Sequence, residues 1–364
     1  MFNYTTQWIH QTIGPLVTAI IVCLIFAKIG IPVAWLIGSL IAGIGYALVA
    51  GTPIKPPPIL LTIGKAIIGI VAAARFSPDN LMIVATYILP LVLALGITGS
   101  LSMLNGYLIA RWSGIKLITC LLGAIPGTAS ANVAISSEFG AEPPIVAVLQ
   151  YLRVLLVVLI VPTVAGIIAG LIVPESQVLA EVNIANTSAP ISTVSMIWNL
   201  VILGLCCILG IWTGNTFNLP TQGFLGSFLW GLFLFGFFPD EYRVPRPLIL
   251  LALLFIGLSA GLKFNWQHIV VLRRALILEI VLVLLLISGC IGIGYGIHSI
   301  TNIGLVTAIL AFAPGGMEAM IATSNQLGGD TGIVLTIKFI NQLLIIFSVN
   351  YLRSFLQYYK TREK

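Results

Sequence analysis

The segment Gly123-Ala-Ile-Pro-Gly-Thr-Ala-Ser-Ala-Asn132 is rich in glycine, proline and small polar residues, in a chain that is otherwise strongly apolar. A shift of 188 positions places it on Ala311-Phe-Ala-Pro-Gly-Gly-Met-Glu-Ala-Met320. Pro126 and Gly127 fall on Pro314 and Gly315, Gly140 on Gly328, and Glu142 on Asp330. Composition says where these segments must sit. Of 364 residues, 59% are hydrophobic and 8% charged, against about 25% charged in soluble domains. The chain therefore reads as an all-α polytopic membrane protein. At membrane depth an interrupted polar backbone is tolerated only where protein or a cavity surrounds it. Two such interruptions at matched places in two halves point to a central transporter-like site.

Apolar stretches over 13–29, 33–50, 59–74 and 83–110 read as spanning helices. A broken segment over 115–137 follows. A last helix over 143–172 opens on Pro143-Pro144, since proline is favoured in a first turn. The second half repeats this order. Pro32, Gly38, Ser39 and Gly43 match Pro220, Gly226, Ser227 and Gly231, and Ile68-Gly69 and Ala72 match Ile256-Gly257 and Ala260. One offset across both halves indicates internal duplication. The expected organisation is a first membrane repeat over 1–174, a polar linker over 175–190 and a second membrane repeat over 191–364. Each repeat would hold about five spans plus a broken or re-entrant segment.

If the broken segments dip in and return, the halves are inverted and cross ten times in all. Lys55, Arg111, Lys116, Lys263, Arg273, Arg274 and the tail cations Arg353, Lys360, Arg362 and Lys364 then share the cytoplasmic side. If they cross, there are twelve spans, the halves are parallel, and the Lys263–Arg274 cluster moves outside. The positive-inside bias favours inversion; crossing broken helices with one shorter helix per half would also give it. The expectation is a multi-pass protein of the inner (plasma) membrane with a cytoplasmic C-terminus. No basic run precedes the first apolar segment, so that segment reads as a membrane helix rather than a cleaved signal.

The net charge of +6 lies largely in loops and tail and is no nucleic-acid footprint. Five cysteines in apolar runs read as small core residues. Three histidines far apart cannot cluster around a metal within one segment. No cofactor, metal or enzymatic activity is expected. The expected partners are the lipid bilayer and a small-molecule or ion substrate, and a homodimer is compatible with the fold.

Ionisable groups inside spans are expensive and mark candidate sites. Glu318, four residues past Pro314, is the sharpest; its match in the first half is Ser130. It reads as a coupling or binding carboxylate, against the alternative of a carboxylate neutralised within the fold. Arg153 and Lys338 lie inside the matched last helices, with Asn341 the counterpart of Arg153. They are expected to pair with Glu318, Glu142 or Asp330 or to hold an anion, against a structural role in bracing a broken helix. Thr128, Ser130, Asn132, Ser136, Ser324, Asn325 and Gln326 are candidate lining residues, and Pro126, Gly127, Pro314, Gly315 and Gly316 the broken-helix turns. Lys65 is expected to snorkel, and Glu279 to sit near the Arg273-Arg274 end. Small residues also permit close helix packing, which is the plain reading of many glycines.

The duplicated unit resembles the membrane AbrB family. It carries an early Ile-Pro-x-x-x-Leu-Ile-Gly, a central Ile-Gly-x-x-Ala, and a Pro-Gly turn followed by Gly-Ala-Glu and a long apolar helix. The resemblance spans about residues 15–351. It implies an inner-membrane protein, with family labels such as ammonia monooxygenase or regulator of gene expression. More distantly, 126–132 is similar to a turn of bile-acid-type sodium symporters, and 31–43 to an early helix of cation/proton antiporters. Both groups share inverted repeats with discontinuous helices. The extra Ala131 departs from the symporter pattern, so its sodium ligands do not transfer. Oxidation chemistry would need clustered histidine or carboxylate ligands, which the sequence does not offer. The favoured expectation is a secondary transporter of a small, anionic solute, coupled to protons or cations, with its site between the two broken helices. The alternative is a non-transporting membrane sensor that affects gene expression indirectly.

Overall fold

The computed structural model describes residues 13–50, 58–125, 132, 136–137, 139–172, 193–217, 219, 221–238, 242–263 and 273–345. Among them are fourteen helices. The first half holds α1 (Gly14–Ile29), α2 (Ala34–Ala50), α3 (Pro58–Ala74), α4 (Pro78–Thr86), α5 (Ile88–Ser113), α6 (Leu117–Ala124) and α7 (Pro143–Ile172). The second holds α8 (Thr193–Thr216), α9 (Gln222–Phe237), α10 (Arg246–Gly261), α11 (Arg273–Ile300), α12 (Leu305–Phe312) and α13 (Met317–Gln326), then α14 (Thr331–Ile345). The 175–190 linker lies outside the described residues.

Four helices, α5, α7, α8 and α11, contain stretches long and apolar enough to cross a membrane, and α3 with α4 forms a pair bent by 83°. The helices α1, α2, α9, α10 and α14 are apolar but shorter. The outward faces are hydrophobic: Leu89 on α5, Ile208 on α8 and Leu285 on α11 are each more than half exposed. Bands of this kind need lipid around them. This is a multi-pass membrane protein.

Most helix limits follow from local chemistry. Pro15 starts α1, and Gly30 ends it in the left-handed conformation at φ 80°, which glycine adopts without steric cost. Ser77 caps α4 by accepting from the Asp79 amide at 3.2 Å. The expected single helix over 83–110 does not form. The chain breaks at Tyr87, with φ −106° and ψ 23°, and α5 restarts at Ile88. Pro90 supplies the reason: its ring clashes with the carbonyl four residues back, at Thr86, and it has no N–H to donate.

Two groups of helices pack side by side. In one, α3 lies on α9 and α10 on α2, with α1 and α8 outside them. A side chain on Gly257 of α10 would run into Leu36 O and Leu40 N of α2, and one on Gly261 into Leu40 O and Ile44 N. Residue numbers rise together, so α2 and α10 run parallel. Gly69 of α3 meets Phe224 O and Phe228 N of α9 in the same way, and Gly231 meets Ile70 and Ala73, so α3 and α9 also run parallel. In the second group α5 packs on α11, α6 on α5 and α7, and α12 on α11 and α7. Helix α13 lies at the seam, against α3, α10, α7 and α12.

Candidate functional site

The segment from α12 to α13 turns back on itself. Thr307, near the start of α12, accepts through Oγ1 from the backbone N–H of Asp330, beyond the end of α13, at 2.9 Å. Entry and exit therefore meet, and the segment is a hairpin with its tip at Ala313–Gly316. The equivalent bond in the first half joins Thr119 Oγ1 to the Glu142 N–H at 3.2 Å. Gly140 and Gly328 precede the exits with φ of 70° and 71°.

The hairpin breaks where its sequence demands. Pro314 cannot continue the α12 ladder. Gly315 sits where an added Cβ would lie 2.8 Å from Val157 Cγ1 of α7, so the tip approaches that helix closely. Gly316 opens α13, and Glu318 lies in its first turn, where a carboxylate is favoured by the helix dipole.

A half-helix that ends inside the protein leaves carbonyls without partners, and the buried cations Arg153 and Lys338 serve them. Arg153 donates through Nη1 to Ala124 O, and through Nη2 to Ile125 O at 3.2 Å and Gln150 Oε1 at 3.0 Å. Gln150 Nε2 donates to Leu122 O at 2.7 Å and Ile125 O at 3.0 Å, and Asn132 Nδ2 to Ile125 O at 3.3 Å. At the second hairpin Lys338 Nζ donates to Ala313 O. Cations near helix C-termini are favourable for the same dipolar reason.

The partner of Glu318 is neither Arg153 nor Lys338. It is Lys65 of α3, whose Nζ lies 3.0 Å from Glu318 Oε1. Lys65 thus forms an ion pair rather than snorkelling as expected. It lies ten residues before Arg75, about 15 Å deeper along the helix by the rise per residue. The backbone of Arg75 is close to Gly332, at the start of α14. The pair therefore sits well inside the bundle, at the hairpin tip. Glu318 is buried, and a third charge faces it. Lys263, just past α10 and exposed, is within electrostatic range of both Lys65 and Glu318. Its Nζ is 5.1 Å from the centre of the Tyr151 ring on α7.

The remaining candidates divide. Ser324 is fully buried on α13, Asn132 and Ser136 are buried, and Asn325, Gln326 and Asn341 are half-buried. Glu279, near the Arg273-Arg274 end of α11 as expected, is buried within electrostatic range of Arg153. Glu142 and Asp330 are exposed at the hairpin exits, and the described side chains of Arg153 and Lys338 do not pair with them. Pro126, Gly127, Thr128 and Ser130 lie outside the described residues. Lys65 and Gln150 were the residues that sequence reasoning underrated. Gln150 had a signal, since it matches Lys338 at the 188-residue offset, whereas Lys65 matches Leu253 and only the tertiary fold reveals its partner.

An interrupted hairpin, carbonyls held by buried cations and an ion pair at the seam of two helix groups define a multi-pass membrane protein with an internal polar site. The chain belongs to the AbrB family, described as "Transition state regulatory protein AbrB", whose model matches residues 35–357. It is similar to "Uncharacterized protein YhjN" of Bacillus subtilis (strain 168), 26% identical over 340 residues covering 88% of this chain and 87% of that protein. It is also similar to "Putative regulator AbrB" of Escherichia coli (strain K12), 27% identical over 331 residues covering 89% of each.

Proposed function

We propose that this protein is a secondary transporter of a small anionic solute, coupled to protons or cations, built from two inverted repeats. The observation that carries the reading is the Lys65–Glu318 pair, held at 3.0 Å at a broken-helix tip between two helix groups. A buried pair costs desolvation and is a poor way to gain stability, so its place at an interruption favours use. Inversion is supported by direction. Helices α2 and α3 are consecutive spans of opposite sense in this reading. Since α9 runs with α3 and α10 with α2, the second half points the other way. The hairpins then count as re-entrant, and ten spans remain. The C-terminus and the Lys116 end of the first hairpin face the cytoplasm in the inner membrane by the positive-inside rule. The protein converts no substrate chemically.

The name of the Escherichia coli relative favours a second reading, a membrane component that acts on gene expression through a partner. One experiment separates the two. Purified protein in liposomes is given a small-molecule cell extract under an imposed pH gradient, and accumulated solutes are read by mass spectrometry. The transport reading expects accumulation by wild type that falls about tenfold or more in Glu318→Gln. Accumulation unaffected in that variant would move the site elsewhere, and no accumulation of any solute would favour the regulatory reading.

A further inference from the structure

The charges around Glu318 can be summed element by element. Helix α3 contributes Lys65, and the end of α10 contributes Lys263. Helix α7 contributes Tyr151, beneath Lys263, while its Arg153 is engaged by the α6 carbonyls. Helix α12, Leu305–Phe312, carries no titratable residue. On α14, Lys338 is engaged by Ala313 O. Two ammonium groups thus face one carboxylate, leaving one positive charge in excess. That excess favours a solute that carries negative charge.

The ion pair adds a constraint. Lys65 is already occupied by Glu318. A solute carboxylate that takes Lys65 must displace the Glu318 carboxylate, which is only 12% exposed in its side chain. A displaced, buried and unpaired carboxylate is costly and is relieved by taking up a proton. Resting on the transport reading above, we propose that Lys65 exchanges the Glu318 carboxylate for that of a monovalent organic anion, so that each anion moves together with one proton. The anion adds one negative charge, and the proton on Glu318 adds one positive charge. The loaded and empty sites therefore carry the same charge, and transport is electroneutral. Lys263, exposed at the cytoplasmic end in this reading, draws the anion toward the pair.

The test uses the full chain in liposomes, with the small-molecule cell extract as probe and mass spectrometry as readout. Wild type is expected to accumulate carboxylates when the interior is alkaline, with no change when a potassium diffusion potential of either sign is imposed. Glu318→Gln is expected to lose pH-driven accumulation about tenfold or more, and its residual flux is expected to become sensitive to potential, because the site now changes charge on loading. Lys65→Met is expected to lose accumulation of the same carboxylates, and Lys65→Arg to recover part of it, which separates a lost charge from a lost fold. Lys263→Gln is expected to weaken apparent affinity severalfold with less effect on maximal flux. Potential-dependent flux in wild type, or pH-driven accumulation unchanged in Glu318→Gln, would overturn the exchange while leaving transport standing. Accumulation confined to cations or neutral solutes would overturn the anion. No accumulation of any solute would overturn the transport reading itself.

Discussion

The two broken segments match in their described entries and exits and differ in charge. Each begins with an eight-residue helix, α6 or α12, and each ties its entry to its exit by a threonine hydroxyl. Each ends its first half-helix in carbonyls that a side chain from the following helix must satisfy. At the first tip, Gln150 and Arg153 do this together. At the second, Lys338 stands where Gln150 stands and reaches Ala313 O, the match of Ile125 O. The difference lies just past the tip, where Glu318 replaces Ser130 and faces Lys65. A side-chain donor at each tip is thus a requirement of broken helices, while a carboxylate just past the tip occurs in the second half alone. A buried charge in a span is therefore no single signal: Arg153 and Lys338 are accounted for by backbone carbonyls, and Glu318 is not.

That contrast can be broken by substitution, beginning with the larger effects. Arg153→Leu removes the donor to two carbonyls in the interior. It is expected to cost about 3 kcal/mol, read as a lowered thermal unfolding midpoint in detergent. Gly257→Leu would drive a side chain into the α2 backbone at Leu36 and Leu40. The expected cost is about 2 kcal/mol, by the same measurement. Lys338→Met leaves Ala313 O without its donor and is expected to cost about 2 kcal/mol. Lys338→Gln should cost less than about 1 kcal/mol, because glutamine at the matched position 150 holds the equivalent carbonyl. If methionine and glutamine were equally tolerated at 338, capping would not be the role of this lysine.

The smallest effect concerns strain. Val33 and Thr221 have positive φ of 53° and 49°, and they match at the 188-residue offset, just before α2 and α9. Branched residues pay steric strain in that conformation. Thr221→Gly is expected to raise stability by less than about 1 kcal/mol, seen as a small rise in the unfolding midpoint.

Much of the fold was legible because apolar length and breakers act locally. The reading of 13–29, 59–74 and 143–172 as helices agrees with α1, α3 and α7 to within a residue. The 188-residue offset also relates 117–124 to 305–312, the limits of α6 and α12. The break at Tyr87 was readable from Pro90 but was outweighed by the apolar run across it. The ion pair was not readable. Glu318 and Lys65 lie 253 positions apart, and which cation reaches a buried carboxylate depends on how α13 seats against α3. Arg153 and Lys338 are the partners that depth along the sequence suggests, whereas the need of the half-helix carbonyls for donors appears only once the hairpin is formed.

The central claim is that both hairpins return to the face they entered, and that the two faces are opposite. Single cysteines at Lys116 and Glu142, and at Asn302 and Asp330, test it, since all four positions are exposed. In a cysteine-free background, each is labelled with a membrane-impermeant maleimide from one side of sealed vesicles. The account predicts that 116 and 142 label together from one side, and 302 and 330 together from the other. Labelling of 116 and 142 from opposite sides would make the broken segment a crossing helix, and labelling of all four from one side would make the halves parallel; either result would contradict the account.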